Sequence, residues 1–566
     1  MRSSLNRRDF LRMSAQASVL VGLGAGLGRR MVFSSPPKFD LLIKNGTVIN
    51  GLSDDSLEAD VGIVGERIEA IGDLGSAPAR TAIDAAGKAV TPGFIDIHAH
   101  TDAIELLVNP KGESKIRQGV TLEVSGNCGS SSFPFKKELS ESEKRYAQRF
   151  NIERDWVDLA GYFARVQKAG LAFNYVTLVG QGTIREYVLN EDRRKPTAAE
   201  LELMQKLVAE AMEQGAFGIS SGLEYTPSGF ASTEEVIELC RVVARYGGFY
   251  ATHVRSEDNF VIEAVAEAIH IAEEAGLPLQ ISHFKSCGTT NWWKMPTLFD
   301  LVEAAARRGL AVTADRYPYT AYNTGLSVNF PQAALAGGNE AFVKRLQDPV
   351  ERQKLREETL QKLEGTPWEN MLLTDLEEEE NKRFIGKTVQ QAADELSQDP
   401  YEFCCDLLIK EKGSVGYIGF GMSEEQTEEI LRHPLVMLCS DGSALAPYGP
   451  LHQGKPHPRN YGTFPRFLGL YVREKKALTL PQAVKKVTSM PAAKLGLKDR
   501  GTLKQGNFAD IVVFDPAKIA DRATYTEPEQ YPLGIDYVIV NGQVVIDHDR
   551  HTGALPGKVL FGPGKK

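Results

Sequence analysis

The stretch Val90-Thr91-Pro92-Gly93-Phe94-Ile95-Asp96-Ile97-His98-Ala99-His100 decides the fold. It reads as an apolar strand ending in two histidines. Side chains alternate along a strand, so His98 and His100 point to one side, where two imidazoles can share a metal. His-x-His alone is a weak signal, because polar residues at a strand end are common. Pro92-Gly93 before it and Thr101-Asp102 after it sharpen the reading. Asp96 shares the face of His98 and, like Asp102, is placed to orient a ligand.

Working outward, short apolar runs alternate with amphipathic helical patterns. Ser232 and Glu235 form a capping-box signature before a helix that runs to about Tyr246, where Gly247-Gly248 stops it. Strands are expected at 249–254, 279–283 and 311–315, with helices at 259–275 and 297–308 between them. This repetition predicts a parallel sheet. The span 93–490 has room for eight such units, so a closed (β/α)8 barrel fits best. An open doubly wound sheet is the alternative, and no GxGxxG or Walker-type loop supports it.

Both chain ends read differently. Residues 37–92 and 491–566 hold short alternating strands, with Asn45-Gly46 and Asn541-Gly542 as turn signals. One small β-sandwich domain built from both termini is expected. Residues 331–434 are too many for a β-α loop and hold helical segments, so they are expected to form an insertion near the barrel mouth.

The 566 residues are 42% hydrophobic and 25% charged, with a net charge of -9 and no long basic run after residue 30. At least two structural units are expected, and no nucleic-acid partner. Six cysteines are too sparse for a disulfide scaffold. At the N-terminus, Asn6-Arg7-Arg8-Asp9-Phe10-Leu11-Arg12 precedes a short, glycine-rich apolar stretch. Residues 1–36 resemble a twin-arginine export signal plus linker, which implies export to a bacterial periplasm. No stretch is long and apolar enough to be a stable membrane span.

The 90–100 stretch resembles the first barrel strand of the amidohydrolase superfamily. Residues 501–513, Gly-Thr-Leu-Lys-Gln-Gly-Asn-Phe-Ala-Asp-Ile-Val-Val, resemble that superfamily's return into its small β-domain. The resemblance runs from about residue 38 to the end and implies a barrel with one or two divalent metals. His253 and His283 close successive expected strands, and Asp441 follows the best candidate for the eighth. Many superfamily members bridge two metals with a carboxylated lysine. No lysine is well placed after strand two here. Gly126-Asn127-Cys128-Gly129-Ser130 follows that strand instead, and a thiolate suits zinc. A small buried cysteine in a Gly-rich turn is the plainer explanation of Cys128 alone. Asn-Cys-Gly, Ser221-Gly222-Leu223-Glu224-Tyr225-Thr226-Pro227 and Gly462-Thr463-Phe464-Pro465-Arg466 resemble the D-aminoacylase branch, the N-acyl-D-amino-acid deacylases.

That resemblance implies a tight zinc site at Cys128, His253 and His283, and a second, weaker site at His98, His100 and Asp441. It implies hydrolysis of N-acyl-D-amino acids with Asp441 as base and then acid. Lys285, Tyr317 and Arg459 match positions that bind the substrate carboxylate. Asn323 stands where relatives carry serine, which bears on side-chain preference. Rival readings are a D-residue dipeptidase or cyclic-amide hydrolase on the same site, and an exported binding protein that has lost catalysis.

Overall fold

The computed structural model describes residues 38–102, 104–136, 144 and 147–566. The twin-arginine-like stretch and its linker lie outside the described residues.

Alternating apolar residues at the two ends of the chain meet in one nine-stranded sheet. Ala89–Pro92 pairs antiparallel with Ile511–Phe514, joining the N-terminal strands to the C-terminal ones. Leu41, Ile43, Val61, Ile63, Ile511 and Val513 share the buried cluster of this small domain. Its two Asn-Gly signals have different fates. Asn541-Gly542 links Ile535–Val540 to Gln543–Asp547, with both residues at positive φ, as a tight hairpin turn requires. Asn45-Gly46, expected as a turn, is instead a bulge inside the continuous strand Phe39–Val48. There the side chain of Asp60 accepts from the Asn45 amide, and Asp84 accepts from its carboxamide, so neighbouring strands absorb the left-handed residue.

Eight parallel strands follow: Phe94–Asp96, Val120–Ser125, Asn174–Thr177 with Val179–Gly180, Gly218–Gly222, Phe249–His253, Leu279–Ile281, Val312–Arg316 and Val436–Leu438. Neighbours pair in parallel register along the series. Just past the ends of the first and last strands, Asp441 N donates to His98 O at 2.9 Å and His100 N to Gly442 O at 2.9 Å. The chain therefore forms a (β/α)8 barrel with a small β-domain. Helix Thr233–Arg245 starts with the Ser232 side chain accepting from the Glu235 amide. The Glu235 carboxylate does not complete the box. It turns inward to the buried Arg185 at 2.5 Å, because an enclosed guanidinium is the stronger partner.

The inserted segment has its own apolar core, with Phe330, Phe342, Leu346, Tyr401 and Leu407. It carries helices, including Gly338–Gln347 and Val389–Glu395. It also carries a three-stranded antiparallel sheet not expected from the sequence, with Gly416–Gly419 between Tyr322–Gly325 and Met371–Asp375. These strands are four or five residues long, too short to show a period. The first precedes residue 331, whereas Glu424–Arg432 packs on the last two barrel strands. Among the described residues, no helix is long and apolar enough to cross a membrane.

Candidate metal centre and active site

Parallel barrel strands all present their C-terminal ends to one mouth. Six residues picked out in the sequence meet there. His98 and His100 follow the first strand, Cys128 the second, His253 ends the fifth, His283 follows the sixth and Asp441 the eighth. Cys128, His253 and His283 offer donor atoms within 4.8 Å of one another, as do His98, His100 and Cys128, and His98, His283 and Asp441. Cys128 Sγ lies 3.4 Å from both His98 Nε2 and His283 Nε2, so the thiol sits between the two groups of donors.

The backbone is bent to bring them there. Cys128, His283 and Asp441 have φ of 51°, 35° and 52°. Left-handed conformations in non-glycine residues cost of order ~1–3 kcal/mol each and persist where surroundings over-determine them. The His283 amide donates to Asp315 Oδ1 at 2.7 Å, and the Gly129 amide to Ser220 Oγ at 3.0 Å. The Cys128 turn lies so close to the fourth strand that a Cβ on Gly222 would overlap the Cys128 carbonyl oxygen.

Each histidine turns one nitrogen inward and backs the other with a carboxylate. His253 Nε2 meets Glu224 at 3.1 Å, His283 Nδ1 meets Glu257 at 2.8 Å and His100 Nδ1 meets Asp102 at 3.2 Å. Two of these are contacts of charge rather than well-aligned hydrogen bonds: His98 Nδ1 is 3.3 Å from Asp315, and at His283 Nδ1 the hydrogen-bond partner is Lys285 Nζ at 2.8 Å. A carboxylate behind an imidazole fixes its tautomer and makes the inward nitrogen a better donor. Asp102 was marked by the sequence. Glu224, Glu257 and Asp315 were not singled out for this role, because each backs a histidine distant in sequence or on a neighbouring loop. Asp96 does not orient a histidine. It accepts from the Ser440 amide at 2.8 Å and from Lys115 Nζ at 2.7 Å, bracing the closing strand before Asp441.

The electrostatics suit a cation. Burial alone would lower His98, but the charges of Cys128 and Asp315 outweigh it and hold the imidazole up at about 10. His253 is likewise raised to about 10 against burial, by Glu257, Cys128 and Glu224. Burial would raise the Cys128 thiol, yet His98 and His283 hold it well below its ordinary value. Asp441 is held well below the usual carboxylate range, with Arg459 the largest influence opposing burial. The same field that favours protonated imidazoles favours a divalent metal, and soft sulfur with imidazole nitrogen is a zinc-type donor set.

A cavity of about 320 Å³ opens over these donors, lined among others by Cys128, His283, Asp441, Tyr225, Asn323 and Arg459. Arg459 Nη1 donates to Asp441 Oδ2 at 2.7 Å, while its buried Nε has no hydrogen-bond partner. The Tyr317 hydroxyl is also buried without a partner, and the Arg459 guanidinium lies 5.1 Å from the Tyr317 ring. Lys285 is turned away from the cavity, against the Glu257 carboxylate and 2.8 Å from His283 Nδ1. Asn323 donates to Tyr417 O at 2.8 Å, so the inserted segment supplies part of the wall. A larger cavity of about 960 Å³, bordered by Trp156, Asp375 and His452, contains none of the donors.

Residues 81–320 and 411–546 match the model of the Amidohydrolase family, and the unmatched stretch between them falls within the inserted segment. The chain is 37% identical to a D-aminoacylase of Alcaligenes xylosoxydans xylosoxydans, over 93% of this chain and 98% of that one. It is similar to the crystal structure of N-acyl-D-glutamate deacylase from Bordetella bronchiseptica, complexed with zinc and a phosphonate mimic of the tetrahedral intermediate. That match has a TM-score of 0.78 and 32% identity, covering 93% of this chain and 100% of the other. A solved D-aminoacylase described by a binuclear metal center, with one-metal activation and second-metal attenuation, matches at TM-score 0.77 and 35% identity, over 92% and 100% of the two chains. With this barrel, this donor set and these likenesses, the chain belongs to the Amidohydrolase family, in its D-aminoacylase branch, and is a metal-dependent hydrolase of non-peptide amide bonds.

Proposed function

We propose that this enzyme hydrolyses the acyl amide of N-acyl-D-amino acids, releasing a D-amino acid and a carboxylate. The observation that carries this reading is a single cavity lined by four of the six candidate donors, His100, Cys128, His283 and Asp441, together with Arg459, whose buried Nε has no partner. The D hand is supported by the relatives, which are D-aminoacylase and N-acyl-D-glutamate deacylase. Cys128, His253 and His283 form the tight zinc site in this reading, and His98, His100 and Asp441 the weaker second one. Bound zinc lowers the pKa of water to about 7 and polarises a carbonyl.

The protein's own groups supply the rest. Arg459 keeps Asp441 ionised, so its carboxylate can take the proton of the attacking water. The water oxygen bonds to the amide carbon, the carbon–nitrogen bond breaks, and Asp441 returns the proton to the leaving nitrogen. Tyr317 and Arg459 hold the amino-acid carboxylate. Lys285 joins them only by loosening its contact with Glu257. Paired N-acetyl-D- and N-acetyl-L-amino acids, assayed on zinc-loaded enzyme, test the reading. Turnover of the D forms is expected. Exclusive L turnover, activity only on cyclic amides or D-residue dipeptides, or binding without turnover would each replace it. The twin-arginine-like stretch supports an exported enzyme, and an Arg7→Lys, Arg8→Lys chain that still reached the periplasm would refute that route.

A further inference from the structure

We propose that Lys362, on the inserted segment, is a positioning residue for His253, acting through Glu224. Lys362 Nζ lies 3.3 Å from Glu224 Oε1, while Glu224 Oε2 lies 3.1 Å from His253 Nε2. The ammonium is itself fixed from within the insertion, donating to Val328 O at 2.8 Å.

Two further insertion residues hold the same three-residue stretch. Gln332 Nε2 donates to Leu223 O and Glu224 O, each at 2.9 Å. Thr324 Oγ1 donates to Tyr225 Oη at 3.3 Å. That stretch meets His253 twice, through the Glu224 carboxylate and through the Tyr225 ring, whose centroid is 4.6 Å from the imidazole.

The other backing carboxylates are held by the barrel and its own loops. Asp315 accepts from Gln280 Nε2 at 2.7 Å and from the His283 amide at 2.7 Å. Glu257 meets Lys285, and Asp102 accepts from the Gly126 amide at 2.5 Å. Among the described residues, Glu224 is the backing carboxylate whose cation comes from the insertion. A carboxylate that orients an imidazole must itself be oriented, so the seat of the inserted segment sets the aim of one ligand and not of the other three.

The test uses the full chain and measures zinc retention by chelator competition, alongside kcat and KM. Lys362→Met is expected to weaken zinc retention about 10-fold, the low end of the effect of outer partners on metal affinity. Glu224→Gln should do the same or more. The double variant should be no weaker than Glu224→Gln alone, since both break one chain of contacts. Lys362→Arg should restore retention. Should Lys362→Met fold poorly, Lys362→Gln against Lys362→Arg gives the same comparison. Parent-like zinc retention in Lys362→Met or Lys362→Gln overturns the proposal, as do multiplying losses in the double variant or a folded Lys362→Arg that restores nothing. The inference rests on His253 being a ligand. His253→Ala that kept its zinc would sink that assignment separately.

Discussion

The two ends of the barrel treat buried lysines in opposite ways. On the mouth side, Lys285 lies against Glu257, and Lys115 lies 2.7 Å from Asp96. Burial alone would lower both, yet Glu257 holds Lys285, and Asp96 holds Lys115, above the ordinary lysine value. At the floor, Lys494 donates to Leu279 O at 2.6 Å, and Lys486 to His433 O and Val436 O at 2.6 and 2.7 Å. Among the described residues, neither makes an ion pair. Burial pushes Lys486 down to about 8 and Lys494 to about 7. The residue type is the same and both sets are enclosed. What differs is the partner: a carboxylate keeps the charge, and a carbonyl alone does not. The mouth uses paired charge to aim chemical groups. The floor uses lysines to close off strand starts.

If the mouth's charge pairs exist for chemistry, the largest effect belongs to Asp441. Asp441→Asn removes the proton acceptor while keeping a similar shape. A loss of about 10³-fold in kcat is expected, within the range for a lost general acid–base, with zinc still bound at the other donors. Full turnover in that variant would refute the proton relay. Cys128→Ala comes next. It removes the sulfur shared between the donor groups, and zinc affinity should fall by about 100-fold or more, exceeding the loss of an outer partner. Metal analysis after dialysis checks it, and unchanged zinc content would take Cys128 out of the site.

Lys285 and Tyr317 sharpen the division within the mouth. If Lys285 chiefly braces Glu257 behind His283, Lys285→Met should weaken zinc retention and lower kcat about 10-fold. If Tyr317 holds the substrate carboxylate as proposed, Tyr317→Phe should raise KM by about 10-fold and leave zinc alone, since it removes one hydrogen bond. A Lys285→Met variant with raised KM and normal zinc would instead make Lys285 a substrate-binding group. Measuring zinc and KM on the same preparations separates the two outcomes.

The histidines and Asp441 were legible in the sequence because each stands at or just past the end of an apolar strand, whereas Cys128, in a left-handed turn after its strand, was legible only through the Asn-Cys-Gly resemblance. His98 and His100 also share one short run. The backing residues were not legible in that way. Asp315 serves His98 from the seventh strand, next but one to the first in the closed barrel, and Glu224 serves His253 from the preceding strand's loop, so the pairing exists only once the barrel closes. The barrel repeat and the union of the two chain ends were legible for the same reason as the donors, since long amphipathic and alternating patterns survive any local detail. The insertion's sheet was hidden because Tyr322–Gly325 and Gly416–Gly419 are short and contain glycine. Asn45-Gly46 carried a correct local preference, but tertiary hydrogen bonds turned it into a bulge.

The floor gives the smallest effect and the cleanest sign. An unfolded lysine titrates near 10.5, above the folded values of about 8 for Lys486 and about 7 for Lys494. Between the folded and unfolded values, the unfolded chain binds more protons. Stability from these two groups should therefore rise as pH climbs from about 7 toward 10.5, opposite to a salt-bridged lysine. Lys494→Met should flatten that rise, with Tm differing from the parent by only about 1–2 °C at any one pH in a chain of this size. Kinetics at saturating zinc should not change, because Lys494 lies at the strand starts and contacts no donor. The measurement is the slope of Tm against pH for parent and variant, rather than Tm itself, since losing the bond to Leu279 O shifts the whole curve. A parent slope that falls over this range would mean that the floor lysines keep their charge, and the contrast between the two ends of the barrel would then be lost.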